Sequence, residues 1–156
     1  MFKDYNKGCE RFPYNPKTYL AFVLNPGTVS ELRRRFPPKF ERVLTHHVTL
    51  AFGLTEDNYN EVKHLLGLEQ ADYVEPKVEA FMRLESRGME AFKVVVNGYQ
   101  ARPVMGGSFH VTHSIALDRH PADANMLFAP YSDNSLVRDY FDQVMTLHGK
   151  VQQVPR

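Results

Sequence analysis

Residues 44–52 have the sequence LTHHVTLAF, and residues 109–117 have the sequence FHVTHSIAL. In both stretches apolar residues recur at every second position, which is the period of a β-strand with one buried face. The other, less apolar face of each strand carries a histidine and, two residues later, a threonine. We therefore expect two strands that present the same pair of polar side chains.

The two pairs are His47 with Thr49 and His110 with Thr112. The 156-residue chain has seven histidines and seven threonines, so chance predicts roughly 0.3 His-x-Thr triplets. Finding two of them, both inside alternating strands, indicates a functional site rather than two unrelated structural histidines.

Two imidazoles facing one cleft suit the cleavage of a phosphodiester. Histidine has a reference pKa near 6.5, so one imidazole can accept a proton from the attacking hydroxyl or water while the other protonates the departing oxygen. Threonine hydroxyls can bond the phosphoryl oxygens. This chemistry needs no metal or other cofactor. The adjacent His46 and His47 point to opposite faces of a strand and cannot chelate one ion, so we expect no metal site.

The segments HVTL at 47–50 and HVTH at 110–113 resemble the paired His-x-Thr-x signature of the 2H phosphoesterase superfamily, and the likeness covers most of residues 19–117. The resemblance implies an α+β, two-lobed pseudo-symmetric fold with a central cleft between two small antiparallel sheets and with helices outside. It also implies that His47 and His110 are catalytic and that Thr49 and Thr112 bind phosphate. His113 departs from the signature, because an apolar residue is usual there.

The small size and compact insertions also resemble the phage-encoded anti-CBASS enzymes of this superfamily, which cleave cyclic oligonucleotide immune signals. A cyclic di- or trinucleotide with 3'-5' linkages is the substrate that this likeness implies. The alternatives are an enzyme that acts on RNA 2',3'-cyclic phosphate ends and a module that only sequesters a nucleotide. The resemblance to the phage enzymes implies that the protein acts in the host cytoplasm.

Composition sets the broader limits. A length of 156 residues predicts one domain over residues 1–156. The net charge of +1 disfavours binding to duplex DNA, and no apolar run is long enough to suggest a membrane span. The lone Cys9 fits a reducing compartment, so we expect a cytoplasmic protein.

The flanking sequence predicts further strands and helices. An apolar strand at residues 19–24 is followed by a helix with a capping box at Thr28, and Thr55 is the N-cap of a second helix. Strands at residues 78–85 and 92–96 should form a hairpin, and Pro121 should start a short helical turn. Helical spacing then predicts a helix that Gly149 ends, with an extended or frayed tail; its apolar positions are Leu136, Tyr140, Val144 and Leu147.

Other positions carry weaker expectations. Residues 1–18 should form an irregular N-terminal arm, from which Tyr14 stacks on a nucleobase of the substrate; anchoring of the arm to the core is the alternative. His46 and His113 should be structural histidines on the core-side faces. The candidate phosphate contacts, which the sequence does not rank, are Arg11, Lys17, Lys93, Arg102 and Arg119.

Overall fold

The computed structural model of the chain describes residues 11–128 and 136–156. In these residues the helices and strands follow in the order β1 (Thr18–Leu24), α1 (Pro26–Arg35), β2 (Arg42–Val43), β3 (His47–Ala51), α2 (Glu56–Leu65), β4 (Val78–Ser86), β5 (Met89–Val96), β6 (His110–Ile115), a 3₁₀ helix (Pro121–Phe128), β7 (Val137–Leu147) and β8 (Gly149–Pro155). The predicted α+β class is confirmed.

The strands form one antiparallel sheet of eight strands in the order β7-β4-β5-β6-β3-β1-β8, with the short β2 also paired to β6. The expected division into two small sheets is therefore wrong. The strands β3 and β6 meet where Val48 lies opposite Val111, and this pairing joins the two halves into one surface. The two His-x-Thr strands are thus neighbours at the middle of the sheet.

The main core lies between one face of the sheet and the helices α1 and α2. Apolar side chains from alternate strand positions, such as Phe22, Val48 and Val111, pack there with Leu32 of α1 and Val62 of α2. All five are buried. This burial on one face leaves the opposite face of the central strands, with its polar side chains, available for a site. None of the helices in the described part of the chain is long and apolar enough to cross a membrane.

The first helix begins earlier than its predicted capping box. Its N-cap is Asn25, whose side chain accepts a hydrogen bond from the Thr28 backbone N–H at 2.8 Å, and Pro26 occupies the first turn. An asparagine followed by proline is a favourable start because proline lacks the N–H that would be unpaired there. The Thr28 hydroxyl instead accepts a hydrogen bond from the backbone N–H of His148 at 3.0 Å. The second predicted cap is confirmed, since Thr55 accepts from the Asn58 N–H.

The predicted helix near residues 136–147 is wrong, because Val137–Leu147 is the edge strand β7. Its residues Tyr140 and Val144, which set the helical spacing, are exposed, whereas Met145 and Leu147 are buried with the two-residue period of a strand. Pairing with β4, from Val78 opposite Leu147 onward, supplies its backbone hydrogen bonds. Long-range pairing of this kind overrides a local helical pattern.

Gly149 does not end a helix but begins β8, a full strand that pairs with β1 along its length. A side chain at this position would collide with the backbone carbonyl of Val23. Glycine is therefore required for β8 to approach β1 so closely. The tail, expected to be extended or frayed, is extended and hydrogen-bonded.

Candidate active site

The four residues of the two His-x-Thr triplets face one side of the sheet. Because β3 and β6 are antiparallel with Val48 opposite Val111, His47 lies across from Thr112 and Thr49 lies across from His110. Opposed positions on one face bring side chains to about 5 Å of each other at the Cβ atoms. The register therefore produces a square of alternating histidine and threonine.

This square lies in a cleft of about 680 Å³ on the face of the sheet opposite the two α-helices. One rim is formed by residues near the start of β1 and at both ends of β3, and the other by the loop before β6 and by the region of the 3₁₀ helix. Besides the four motif residues, the lining includes Tyr19, Val43, Leu44, His46, Phe52, Arg102, Met105, His120, Pro121, Ala122 and Asn125. The cleft has the size of a small-molecule site and combines apolar walls with a few polar groups.

One hydrogen bond sets the tautomer of His110. Its Nδ1 lies 3.0 Å from the carbonyl oxygen of Ser108, so this nitrogen carries the proton and donates it. The Nε2 atom is then the one that can accept a proton or, in the imidazolium, release it. Burial lowers the pKa of His110 to about 4, the Ser108 hydrogen bond opposes this shift, and the nearby charge of Arg102 adds to it.

His47 sits between two other rings of the cleft wall. Its Nε2 lies 3.5 Å from the Tyr19 hydroxyl, and its Nδ1 lies 3.0 Å from Nδ1 of His46. Burial lowers the pKa of His47 to about 4, and repulsion from His46 and His110 contributes further. Both motif histidines are therefore neutral in the free protein at pH 7.

The two remaining histidines of these strands behave differently. His113 is fully buried, as expected, with Nε2 donating to the Phe36 carbonyl at 2.6 Å and Nδ1 bonded to the Thr45 hydroxyl at 2.8 Å. His46 is exposed and lines the same cleft as His47, with the two Nδ1 atoms 3.0 Å apart. Its expected core-side position is therefore wrong, and so is the expectation that these two adjacent histidines point to opposite faces. The strand alternation is interrupted between β2 and β3, and across this break Thr45 rather than His46 turns inward.

Tyr14 lies outside the cleft. Its hydroxyl donates to the Leu54 carbonyl at 3.2 Å, and its ring packs edge-on against Tyr59 of α2 at 5.5 Å. These contacts anchor the described part of the arm, residues 11–18, to the core, which was the alternative interpretation. The position of Tyr14 gives no support to stacking on a substrate base, and the aromatic rings that do line the cleft are Tyr19 and Phe52.

Several residues of the cleft were not identified from the sequence. Tyr19 belongs to β1, where its position two residues before Ala21 puts it on the His47 face, because Ala21 lies opposite Thr49. The period of the strand could have indicated this only if the pairing of β1 with β3 had been known. Of the unranked cations, Arg102 alone is among the cleft-lining residues. No group of three or more His, Cys, Asp or Glu side chains in residues 11–128 and 136–156 is arranged to hold a metal ion.

Comparisons with known proteins inform the fold. The sequence matches no protein-family model and no curated protein. Among solved structures it is similar to a crystal structure described as a fungal RNA kinase, with a TM-score of 0.62 and 12% sequence identity. The similarity covers 96% of this chain and 48% of the fungal protein, so the chain spans about half of that protein's length. At this identity the likeness shows a shared fold.

Proposed function

We propose that the protein is a phosphodiesterase that acts on a nucleotide through His47 and His110 without a metal ion. The observation that carries this proposal is the cross-strand square of two histidines and two threonines inside one cleft. An isolated histidine on a strand has a structural explanation, as His113 illustrates. Two histidines that face the same cleft, each followed two residues later by a threonine, are explained by a reaction that needs an acid and a base.

In this reaction one imidazole takes the proton of the attacking hydroxyl and the other protonates the leaving oxygen. The Thr49 and Thr112 hydroxyls donate hydrogen bonds to the phosphoryl oxygens, whose charge increases as the nucleophile attacks. Both imidazoles are neutral in the free protein at pH 7, so one must gain a proton when substrate binds. The phosphate anion favours this step because a negative charge nearby raises the pKa of a histidine.

We propose a cyclic di- or trinucleotide as the substrate. A ribose 2'-hydroxyl next to the scissile 3'-5' linkage attacks the phosphorus, the 5' oxygen leaves, and the product is an opened oligonucleotide that ends, at least transiently, in a 2',3'-cyclic phosphate. Tyr19 and the partly exposed Phe52, whose ring lies under the Arg156 guanidinium, place aromatic side chains at the cleft where a base can stack. Under the 2H phosphoesterase hypothesis, each His-x-Thr strand belongs to one lobe of a pseudo-symmetric domain. This single domain spans residues 1–156.

A second candidate is an enzyme that opens 2',3'-cyclic phosphates at RNA ends, with water as nucleophile. The similarity of the fold to that of a protein described as an RNA kinase favours it, because that description connects the fold with RNA substrates. The same two histidines and two threonines would act in the same roles. The two candidates therefore differ in substrate and nucleophile, not in the site.

A substrate panel tests the proposal. The purified protein is incubated in EDTA with cyclic di- and trinucleotides and with 2',3'-cyclic mononucleotides, and the products are separated by chromatography. Cleavage of the cyclic oligonucleotides supports the first candidate, and opening of only the mononucleotides supports the second. The variants His47→Ala and His110→Ala should each lose about 10²- to 10⁴-fold in rate, which is the range for a general acid or base. Tight binding with no turnover of any member would contradict catalysis and leave a nucleotide-sequestering module.

A further inference from the structure

The loop between β5 and β6 is folded around the side chain of Arg102. The Arg102 backbone N–H donates to the Gly107 carbonyl at 2.7 Å, and the Gly106 N–H donates to the Arg102 carbonyl at 3.0 Å. The side-chain Nε then donates to the Gly106 carbonyl at 3.0 Å. Both glycines have positive φ angles, +71° and +80°, which glycine adopts without strain. The loop thus holds the guanidinium at the rim of the cleft.

Gly107 has a second role in this arrangement. A Cβ atom on Gly107 would occupy the space of the Arg102 guanidinium, whereas a Cβ atom on Gly106 would meet nothing within 4 Å. The absence of a side chain at residue 107 is therefore what admits the arginine to its present position. Tight local support of this kind is a feature of a pre-organised binding group.

None of the residues that the structure describes neutralises the charge of Arg102. In the described part of the chain no carboxylate lies within ion-pair distance of the guanidinium, and its other neighbour is the side-chain oxygen of Asn125, 3.5 Å from Nη2. Partial burial of the guanidinium carries a desolvation cost, and a bound anion would compensate it. The remaining N–H groups form a planar fork that suits a phosphate.

The position of Arg102 indicates which phosphate it binds. In the proposed reaction Thr49 and Thr112 are the donors to the scissile phosphate, while Arg102 lies with Asn125 on the rim that the loop before β6 and the 3₁₀ helix form. In the free protein the charge of Arg102 disfavours protonation of His110, after the larger effect of burial. An anion bound to the guanidinium removes this repulsion. A neighbouring phosphate therefore both anchors the substrate and assists the proton transfer.

We infer that Arg102 forms a second phosphate subsite, so that the preferred ligand carries a phosphate next to the scissile one. This inference rests on the proposed function and deepens it. It favours oligonucleotides, cyclic or linear, over cyclic mononucleotides, which have one phosphate.

Binding of two matched probes tests the inference without turnover. The probes are the deoxydinucleotide dApdA and its 5'-phosphorylated form pdApdA, which differ by one phosphate and lack the 2'-hydroxyl that would attack. Isothermal calorimetry should show that the wild type binds pdApdA about 10- to 100-fold more tightly, the range expected for charge-assisted hydrogen bonds. Arg102→Gln should abolish this preference. Lys17→Gln, which removes the same charge from an exposed residue outside the cleft, should retain it.

The two loop glycines provide a second pair of variants. Gly107→Ala displaces the guanidinium and should weaken the preference for pdApdA. Gly106→Ala imposes the same kind of backbone strain, but its Cβ does not collide with the arginine, so the preference should be preserved. Thermal unfolding of both variants checks that each is folded.

Three results would overturn the inference: equal binding of the two probes by the wild type, an unchanged preference in Arg102→Gln, or an equal loss of affinity for both probes in that variant. The last result would assign Arg102 to the internal phosphate. Since no step requires cleavage, a preference that depends on Arg102 in a protein without turnover would contradict the proposed phosphodiesterase and leave the second subsite intact.

Discussion

Lowering the pH of the assay from 7 to 5 should raise kcat/KM of the wild-type protein about 100-fold. Acid-base catalysis by a pair of histidines requires one neutral and one protonated imidazole. Burial holds the pKa of both His47 and His110 at about 4 in the free protein. Above about pH 5 the fraction of the enzyme with one protonated histidine of the pair then falls tenfold for each pH unit. The value of kcat/KM is proportional to this fraction, because kcat/KM refers to the free enzyme.

The profile of kcat should differ from that of kcat/KM. In the complex the phosphate anion stabilises the imidazolium and raises its pKa, so the alkaline limb of kcat should lie at higher pH. As a result KM should increase from pH 5 to pH 7 while kcat changes much less. Initial rates measured from pH 4 to 8 at constant ionic strength in EDTA, on whichever cyclic nucleotide is cleaved, would give both profiles.

Folding must be monitored in the same buffers, because the same shifts affect stability. The histidine pKa is lowered by folding, so the unfolded chain binds more protons between pH about 4 and 6.5. The contribution of His47 and His110 to the free energy of unfolding is fully present above pH 6.5, and it is lost as the pH falls from about 6.5 to about 4. Circular dichroism at each pH would show that the protein remains folded. A kcat/KM that is flat or lower at pH 5 in a folded protein would refute the reasoning about this pair.

The remaining predictions concern single substitutions and the metal. His113→Ala should lower the free energy of unfolding by about 3–5 kcal/mol in urea unfolding, since it removes a buried ring with two hydrogen bonds and leaves the Phe36 carbonyl without its side-chain donor. His64→Ala on the exposed surface of α2 should change this free energy by less than about 0.5 kcal/mol. Thr49→Val and Thr112→Val should each lower kcat about 10- to 100-fold with the pH limbs unmoved; full activity in either would remove its assignment to the phosphate. Tyr19→Phe should lower kcat several-fold with little change in Tm, because it removes the hydroxyl near His47 and keeps the ring; an unchanged kcat would make this hydroxyl dispensable. Chelation by EDTA should leave the rate unchanged, and a loss that a divalent ion restores would contradict the metal-independent mechanism.

The local features of this protein follow from its amino-acid sequence. The alternation of a strand depends only on residues that are close together in the chain. The residue pattern alone therefore predicts that His47 and Thr49 share one face, and that His110 and Thr112 do. The hairpin of β4 and β5 could be assigned in the same way, because it depends on side-chain period and turn residues close together in the chain.

Which strands are neighbours, in contrast, depends on the tertiary structure. The pairing at Val48 and Val111 joins distant parts of the chain, and no local pattern specifies it. Likewise, residues 137–147 form β7 because they pair with β4, although the spacing of their apolar residues favours a helix. A prediction from one sequence uses the secondary-structure propensity of each residue and the period of the apolar positions. Hydrogen bonding between distant strands depends instead on the packing of the whole core.

The same limit applies to the details of the site. Arg102 could not be separated from the other basic residues, because its position depends on a loop that closes through Gly106 and Gly107 and on the 3₁₀ helix beside that loop. His46 is exposed because the strand is interrupted just before His47. The sequence gives no sign of this interruption, because its apolar and polar residues alternate across it. The sequence therefore identified the candidate reacting groups, and the fold decided which side chains surround them, since those neighbours are brought together by contacts between distant parts of the chain.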